Sequence, residues 1–172
     1  MTDVYIAIGS NIEPVATLAR AIALMRAAWP DIRFSSAYRN AAAGFEGDDF
    51  INLAASFTTT ATLAELLVRL HTIEHSCGRE REAPKWAPRA MDLDVLLYGE
   101  LVGDFPGAVL PRPDLLKRPY MLGPMAELAG NVRHPVSGLT MADHWQRFDR
   151  GAHAMQLVDV PGLRPAPGSM SC

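Results

Sequence analysis

Val4-Tyr5-Ile6-Ala7-Ile8, closed by Gly9-Ser10-Asn11 and followed by Pro14 with Leu18, Ile22 and Met25 at helical spacing, reads as buried strand, turn and amphipathic helix. The unit recurs. Residues 32–39 and 50–58 read as strands. Thr62-Leu63-Ala64-Glu65 has the form of a capping box, and Leu66, Leu67, Leu70 and Ile73 continue it as one apolar face. A strand over 91–98 ends at the Gly99 turn. Two strand-helix-strand passes in one short chain predict an α+β fold, a sheet with helices on its faces. Residues 111–119 are broken by three prolines, and 120–129 and 140–148 read as short helices, with Trp145 and Phe148 expected to pack inward.

The 172 residues, 49% of them hydrophobic, suffice for a single core without disulfide or metal staples. One domain is expected over residues 1–160, followed by a tail rich in Pro, Gly and Ser over 161–172. A net charge of −3 supplies no global positive field for nucleic acid or anionic membrane, so neither partner is expected. Only Cys77 and Cys172 are present, which makes no disulfide framework and no Cys metal motif. With no basic leader and no apolar run near the roughly 20 residues of a membrane span, a soluble, cytoplasmic, monomeric protein is expected.

The chemistry concentrates in Met91-Asp92-Leu93-Asp94-Val95. Carboxylates two apart on a strand share one face, roughly 6.5–7 Å apart, while Leu93 and Val95 face the core. Such a pair needs nearby cations, either arginine or a metal. Two hard oxygen donors on a rigid strand suit Mg²⁺, which completes its shell with water and substrate phosphate. Upstream, Arg79, Arg81, Lys85 and Arg89 converge from an irregular stretch with two prolines and resemble a phosphate clamp, although Glu80 and Glu82 alternate with them as on a solvated loop. No GxxxxGK[ST] loop occurs, so phosphates would be held by arginine and metal. A competing pattern is His71-Thr72-Ile73-Glu74-His75, an H-x-x-E-H match that would place two histidines on one helix face for zinc.

Together, Tyr5 to Asn11, Phe50-Ile51-Asn52, Ile73-Glu74 with Gly78-Arg79-Glu80-Arg81, Trp86-Ala87-Pro88-Arg89-Ala90-Met91-Asp92-Leu93-Asp94 and Arg118-Pro119-Tyr120-Met121-Leu122-Gly123-Pro124 resemble the 6-hydroxymethyl-7,8-dihydropterin pyrophosphokinases of folate biosynthesis. The resemblance implies a ferredoxin-like sheet in α/β/α layers. It also implies transfer of the terminal diphosphate of ATP to the pterin hydroxymethyl group, with release of AMP. By that resemblance Asp92 and Asp94 bind two Mg²⁺ ions with ATP, and Arg79, Arg81 and Arg89 serve the phosphates as catalytic arginines. His71, Glu74, Lys85, Trp86, Arg112 and Arg118 meet the nucleotide. Ala43, Phe50, Asn52, Trp86 and Tyr120 surround the pterin. Three departures stand out: Asn40-Ala41-Ala42-Ala43-Gly44 in the pterin loop, Pro111-Arg112-Pro113 where the family commonly has a histidine, and a C-terminal stretch from about Gly151 with no clear counterpart. A pterin- or nucleotide-binding paralogue without activity is the alternative that the altered loop favours.

Overall fold

The computed structural model describes residues 1–40, 49–78, 91–149 and 155–163. The first strand, β1 (Thr2–Ser10), runs antiparallel to β4 (Phe50–Thr59) on one side and to β5 (Asp92–Tyr98) on the other. Beyond β4 lie β2 (Arg33–Phe34) and β3 (Ala37–Asn40), and a last strand β8 (Gln156–Val158) pairs with β3 at the edge. The order β5-β1-β4-β3, with helix α1 (Pro14–Ala28) after β1 and α2 (Leu63–Ser76) after β4, is the ferredoxin-like arrangement.

Alternation along β1 decides the layers. Val4, Ile6 and Ile8 point to the α1/α2 side and pack with Leu18, Ile22, Met25, Leu66 and Leu70. Tyr5, Ala7 and Gly9 point to the other side. There Ala7 joins Leu96, Leu97 and Leu115 with Met121, Leu122 and Met125 of α3 (Pro119–Ala129) and Met141 of α4 (Met141–Arg147). The register of β5 against β1 slips by one residue between Tyr5 and Ile6, so consecutive leucines 96 and 97 both serve this second core. The result is three layers, helices on both faces of one sheet.

The capping box at α2 forms as its sequence predicts. Glu65 N–H donates to Thr62 Oγ1 at 3.2 Å, and Thr62 N–H donates to Glu65 Oε1 at 3.0 Å. Residues 32–39 do not form the one strand that their composition predicts. Ser35 and Ser36 break it: the Ser35 hydroxyl accepts from Ala54 N–H, taking the ladder position of a carbonyl, and Ser36 N–H turns to Glu127 Oε2 at 2.8 Å. Glu127 Oε1 also accepts from the Tyr38 hydroxyl, which ties β3 to α3. Three further elements carry no strong local pattern: the hairpin of β6 (Gly103–Phe105) and β7 (Ala108–Leu110), the 3-10 turn Pro113–Leu116, and β8. Trp145 and Phe148 stack on each other, centroids 5.8 Å apart, and pack half-buried against the second core.

Candidate active site

The face of the sheet turned toward α3 carries the site because α3 covers only part of it. Leu128 closes over Ala54, and Glu127 pins Tyr38. The next row of the sheet stays uncovered. In that row β5, β1 and β4 contribute Asp92, Gly9 and Asn52 as successive cross-strand partners. Asp94 stands beside Ala7 one step along β5. Two inter-strand spacings separate Asp92 from Asn52, roughly 9.5 Å.

Above this row lies a cavity of about 370 Å³ lined by Asp92, Asp94, Arg112, Asp114 and Arg118 together with Phe50, Asn52, Asn40 and Tyr120. It has two chemical ends. The carboxylates and guanidiniums sit toward β5 and the 3-10 turn, while the amides and Phe50 sit on β3 and β4. Arg112 Nη1 approaches Asp94 Oδ1 at 3.5 Å, and Arg112 Nε is buried with no hydrogen-bond partner among the described residues. Three carboxylates and two guanidiniums give the described lining one formal net negative charge. Asn52 is buried, and its Nδ2 donates to Asn40 Oδ1 at 2.6 Å.

A family model for 7,8-dihydro-6-hydroxymethylpterin-pyrophosphokinase matches residues 5–130. The chain belongs to this pyrophosphokinase family. It is 33% identical to the 2-amino-4-hydroxy-6-hydroxymethyldihydropteridine pyrophosphokinase of Aquifex aeolicus, over 79% of this chain and 86% of the relative. It is 37% identical to the enzyme of the same name from Methylorubrum extorquens, over 87% of this chain and 95% of the relative. Among solved structures, an HPPK-DHPS in complex with substrates superposes with a TM-score of 0.65 at 11% identity, over 85% of this chain. This chain spans 43% of that longer one, so the likeness speaks to the fold.

Of the residues that the pyrophosphokinase resemblance singles out, Asp92, Asp94, Arg112, Arg118, Phe50, Asn52 and Tyr120 all line the one cavity. Arg79, Arg81, Lys85, Trp86, Arg89 and Ala43 lie outside the described residues. His71 and Glu74 do not line the cavity. Glu74 is turned inward, 3% exposed, and its Oε2 accepts from Leu93 N–H at 3.0 Å, between the two aspartates. His71 Nε2 stands 4.0 Å from Glu74 Oε1 with its ring largely in solvent. In the H-x-x-E-H match, His71 and His75 are exposed while Glu74 between them is buried. Among the described residues no group of three or more His, Cys, Asp or Glu is arranged to hold a metal.

Ala7, Ile8, Gly9, Asn40, Asp114 and Met121 also line the cavity without a site role assigned from sequence, although Asn40 opens the altered pterin loop. Gly9 matters because a Cβ there would stand 2.6 Å from Asn52 Oδ1, so only a side chain of hydrogen lets Asn52 lie across β1. Its signal was present, a glycine ending an otherwise apolar strand. Asn40 was marked only as the start of the altered pterin loop, and Asp114 carried no signal, since it reads as an ordinary loop polar residue.

Proposed function

We propose that the chain transfers the diphosphate of ATP to the hydroxymethyl group of 6-hydroxymethyl-7,8-dihydropterin, giving the pterin diphosphate and AMP in folate biosynthesis. The observation that carries this reading is the single cavity joining an acidic, arginine-bearing end to an amide- and aromatic-lined end, roughly 9.5 Å apart. A flat heterocycle suits one end and a polyphosphate the other.

Asn52 hydrogen-bonds the pterin edge, and Phe50 and Tyr120 enclose the ring. That leaves the hydroxymethyl arm directed along the β1 row toward Asp92 and Asp94. The pterin oxygen attacks the β-phosphorus of ATP, the bond from that phosphorus to the α,β-bridging oxygen breaks, AMP leaves, and the hydroxyl proton is released. Arg112 and Arg118 stand where they neutralise phosphate charge, and Arg79, Arg81 and Arg89 join them by the family resemblance. Positioning of two substrates in line accounts for most of the acceleration, and no covalent nucleophile is required.

Asp92 and Asp94 fit Mg²⁺: they are hard oxygen donors on one strand face, half-exposed in the cavity, and two protein carboxylates leave places for water and phosphate oxygens. When bound, two such ions with ATP would neutralise triphosphate charge and polarise the attacking hydroxyl. The same reading carries a monomer acting in the cytoplasm; no described helix is long and apolar enough to cross a membrane.

Product analysis tests the proposal. Mixing the protein with ATP, Mg²⁺ and the dihydropterin should yield AMP in step with pterin diphosphate, and Asp94→Ala should abolish both. ADP as the product would refute diphosphoryl transfer in favour of cleavage at the γ-phosphorus, and no turnover despite measurable pterin and ATP binding would leave the inactive paralogue. Arg112→Ala should raise the KM for ATP while leaving pterin binding in place; an unchanged KM would remove Arg112 from the phosphate site.

A further inference from the structure

The amide end of the cavity holds two asparagine side chains, and one of them is placed by the other. Asn40 ends β3 and pairs with Phe50, while Asn52 pairs with Tyr38 two residues away, so the two asparagines are diagonal neighbours on one face. Asn40 Oδ1 accepts from Asn52 Nδ2 at 2.6 Å. On the opposite flank, Asn52 Oδ1 lies over the α-carbon of Gly9, 2.6 Å from where a Cβ would sit. The Asn52 amide is therefore held with its nitrogen toward β3 and its oxygen toward β1. Flipping the Asn52 amide alone would set N–H hydrogens against the Gly9 Cα–H groups and its oxygen against the Asn40 oxygen.

We propose that Asn40 is a positioning residue for the pterin: by fixing the Asn52 amide in one orientation, it determines which heterocycle edge the pocket accepts. The inference rests on Asn52 being the pterin-edge contact. With one Nδ2 hydrogen committed to Asn40, Asn52 retains one N–H and one carbonyl oxygen, the complement of the N–H and C=O pair of a lactam. A ring with an amino group in place of the lactam oxygen presents the reversed pair. An unrestrained asparagine serves either edge by rotating its amide, and a clamped one serves only the first. Asn40 thus contributes preorganisation, and its loss should weaken pterin binding roughly three- to tenfold, the range for immobilising one side chain.

Calorimetry decides it, using 6-hydroxymethyl-7,8-dihydropterin and its 4-amino analogue in the presence of a non-hydrolysable ATP analogue. Asn40→Ala should weaken binding of the dihydropterin by that factor, shrink the preference over the 4-amino analogue, and leave affinity for the ATP analogue within twofold. Asn40→Asp, which retains an acceptor for Asn52 Nδ2, should restore the preference. The double variant N40A/N52A should bind the dihydropterin no more weakly than N52A alone. Wild-type pterin affinity in N52A would overturn the reading of Asn52 itself. Weakened binding in N52A, with N40A at wild-type affinity or with the two effects multiplying, would overturn only the coupling. If N40A also loses the ATP analogue through misfolding, N40D decides: a preference retained there supports the clamp, and one lost refutes it.

Discussion

Replacing Glu74 by alanine separates two roles for a residue that the family resemblance assigns to the nucleotide and the structure places in the interior. Its side chain is 3% exposed, and Oε2 accepts from Leu93 N–H at 3.0 Å. Leu93 lies between Asp92 and Asp94, so this bond holds the strand segment that presents both carboxylates. Truncation leaves a buried backbone donor unpaired, at about 1–3 kcal/mol, and removes one buried methylene, at about 0.8 kcal/mol. A total near 3 kcal/mol in a chain of this length lowers the Tm by roughly 6–12 °C. Glu74→Gln keeps an oxygen for Leu93 N–H and should recover most of that loss. Thermal unfolding of the three proteins, with steady-state kinetics in both substrates, provides the test. A Tm for Glu74→Ala within 1–2 °C of the parent, accompanied by a large rise in the KM for ATP alone, would refute the anchoring role and restore the nucleotide contact.

Two further predictions follow from geometry. Gly9→Ala puts a methyl 2.6 Å from Asn52 Oδ1, so Asn52 must leave its place; pterin affinity measured by fluorescence titration should fall at least tenfold while ATP affinity stays within about twofold, a loss of about 1.4 kcal/mol or more. His134 has its pKa lowered from 6.5, first by burial and then by neighbouring His144, and its Nδ1 accepts from the N–H groups of Val136 and Ser137. Because the folded form holds the proton less tightly than the unfolded form, the stabilisation is complete above pH 6.5 and is lost as pH falls below it toward the folded pKa. A histidine titration followed by NMR should give a midpoint below 6.5, and one above 6.5 would contradict the burial argument.

Much of the fold was legible locally because its signals are local. The capping box at Thr62 and Glu65 satisfies two backbone donors with side chains three residues apart, and it forms as written. The alternation of Asp92-Leu93-Asp94-Val95 places carboxylates on one face and apolar groups on the other, and the strand obeys it. The break in 32–39 was not legible, because the Ser35 hydroxyl takes the Ala54 N–H of β4 and Ser36 N–H leaves the ladder for Glu127 of α3, partners 19 and 91 residues away. The short β6–β7 hairpin and β8 escaped for a related reason: three-residue strands contain too few side chains to show a period. At the site, Asp92, Asp94 and Arg118 were identifiable by chemistry, whereas Gly9 and Asn40 acquire meaning only from what lies across the sheet.

The sequence by itself determined the order of the longer strands and helices, which face of each is apolar, and the family, since these depend on residue type and spacing along one chain. Tertiary structure alone decided that Asp92, Gly9 and Asn52 form one row across three strands, that Arg112 meets Asp94, and that Glu74 turns inward. For the row the physical reason is register: a cross-strand neighbour is selected by hydrogen-bond pairing between residues 43 and 83 positions apart, and a slip of one position would turn the slipped strand's side chains to the opposite face.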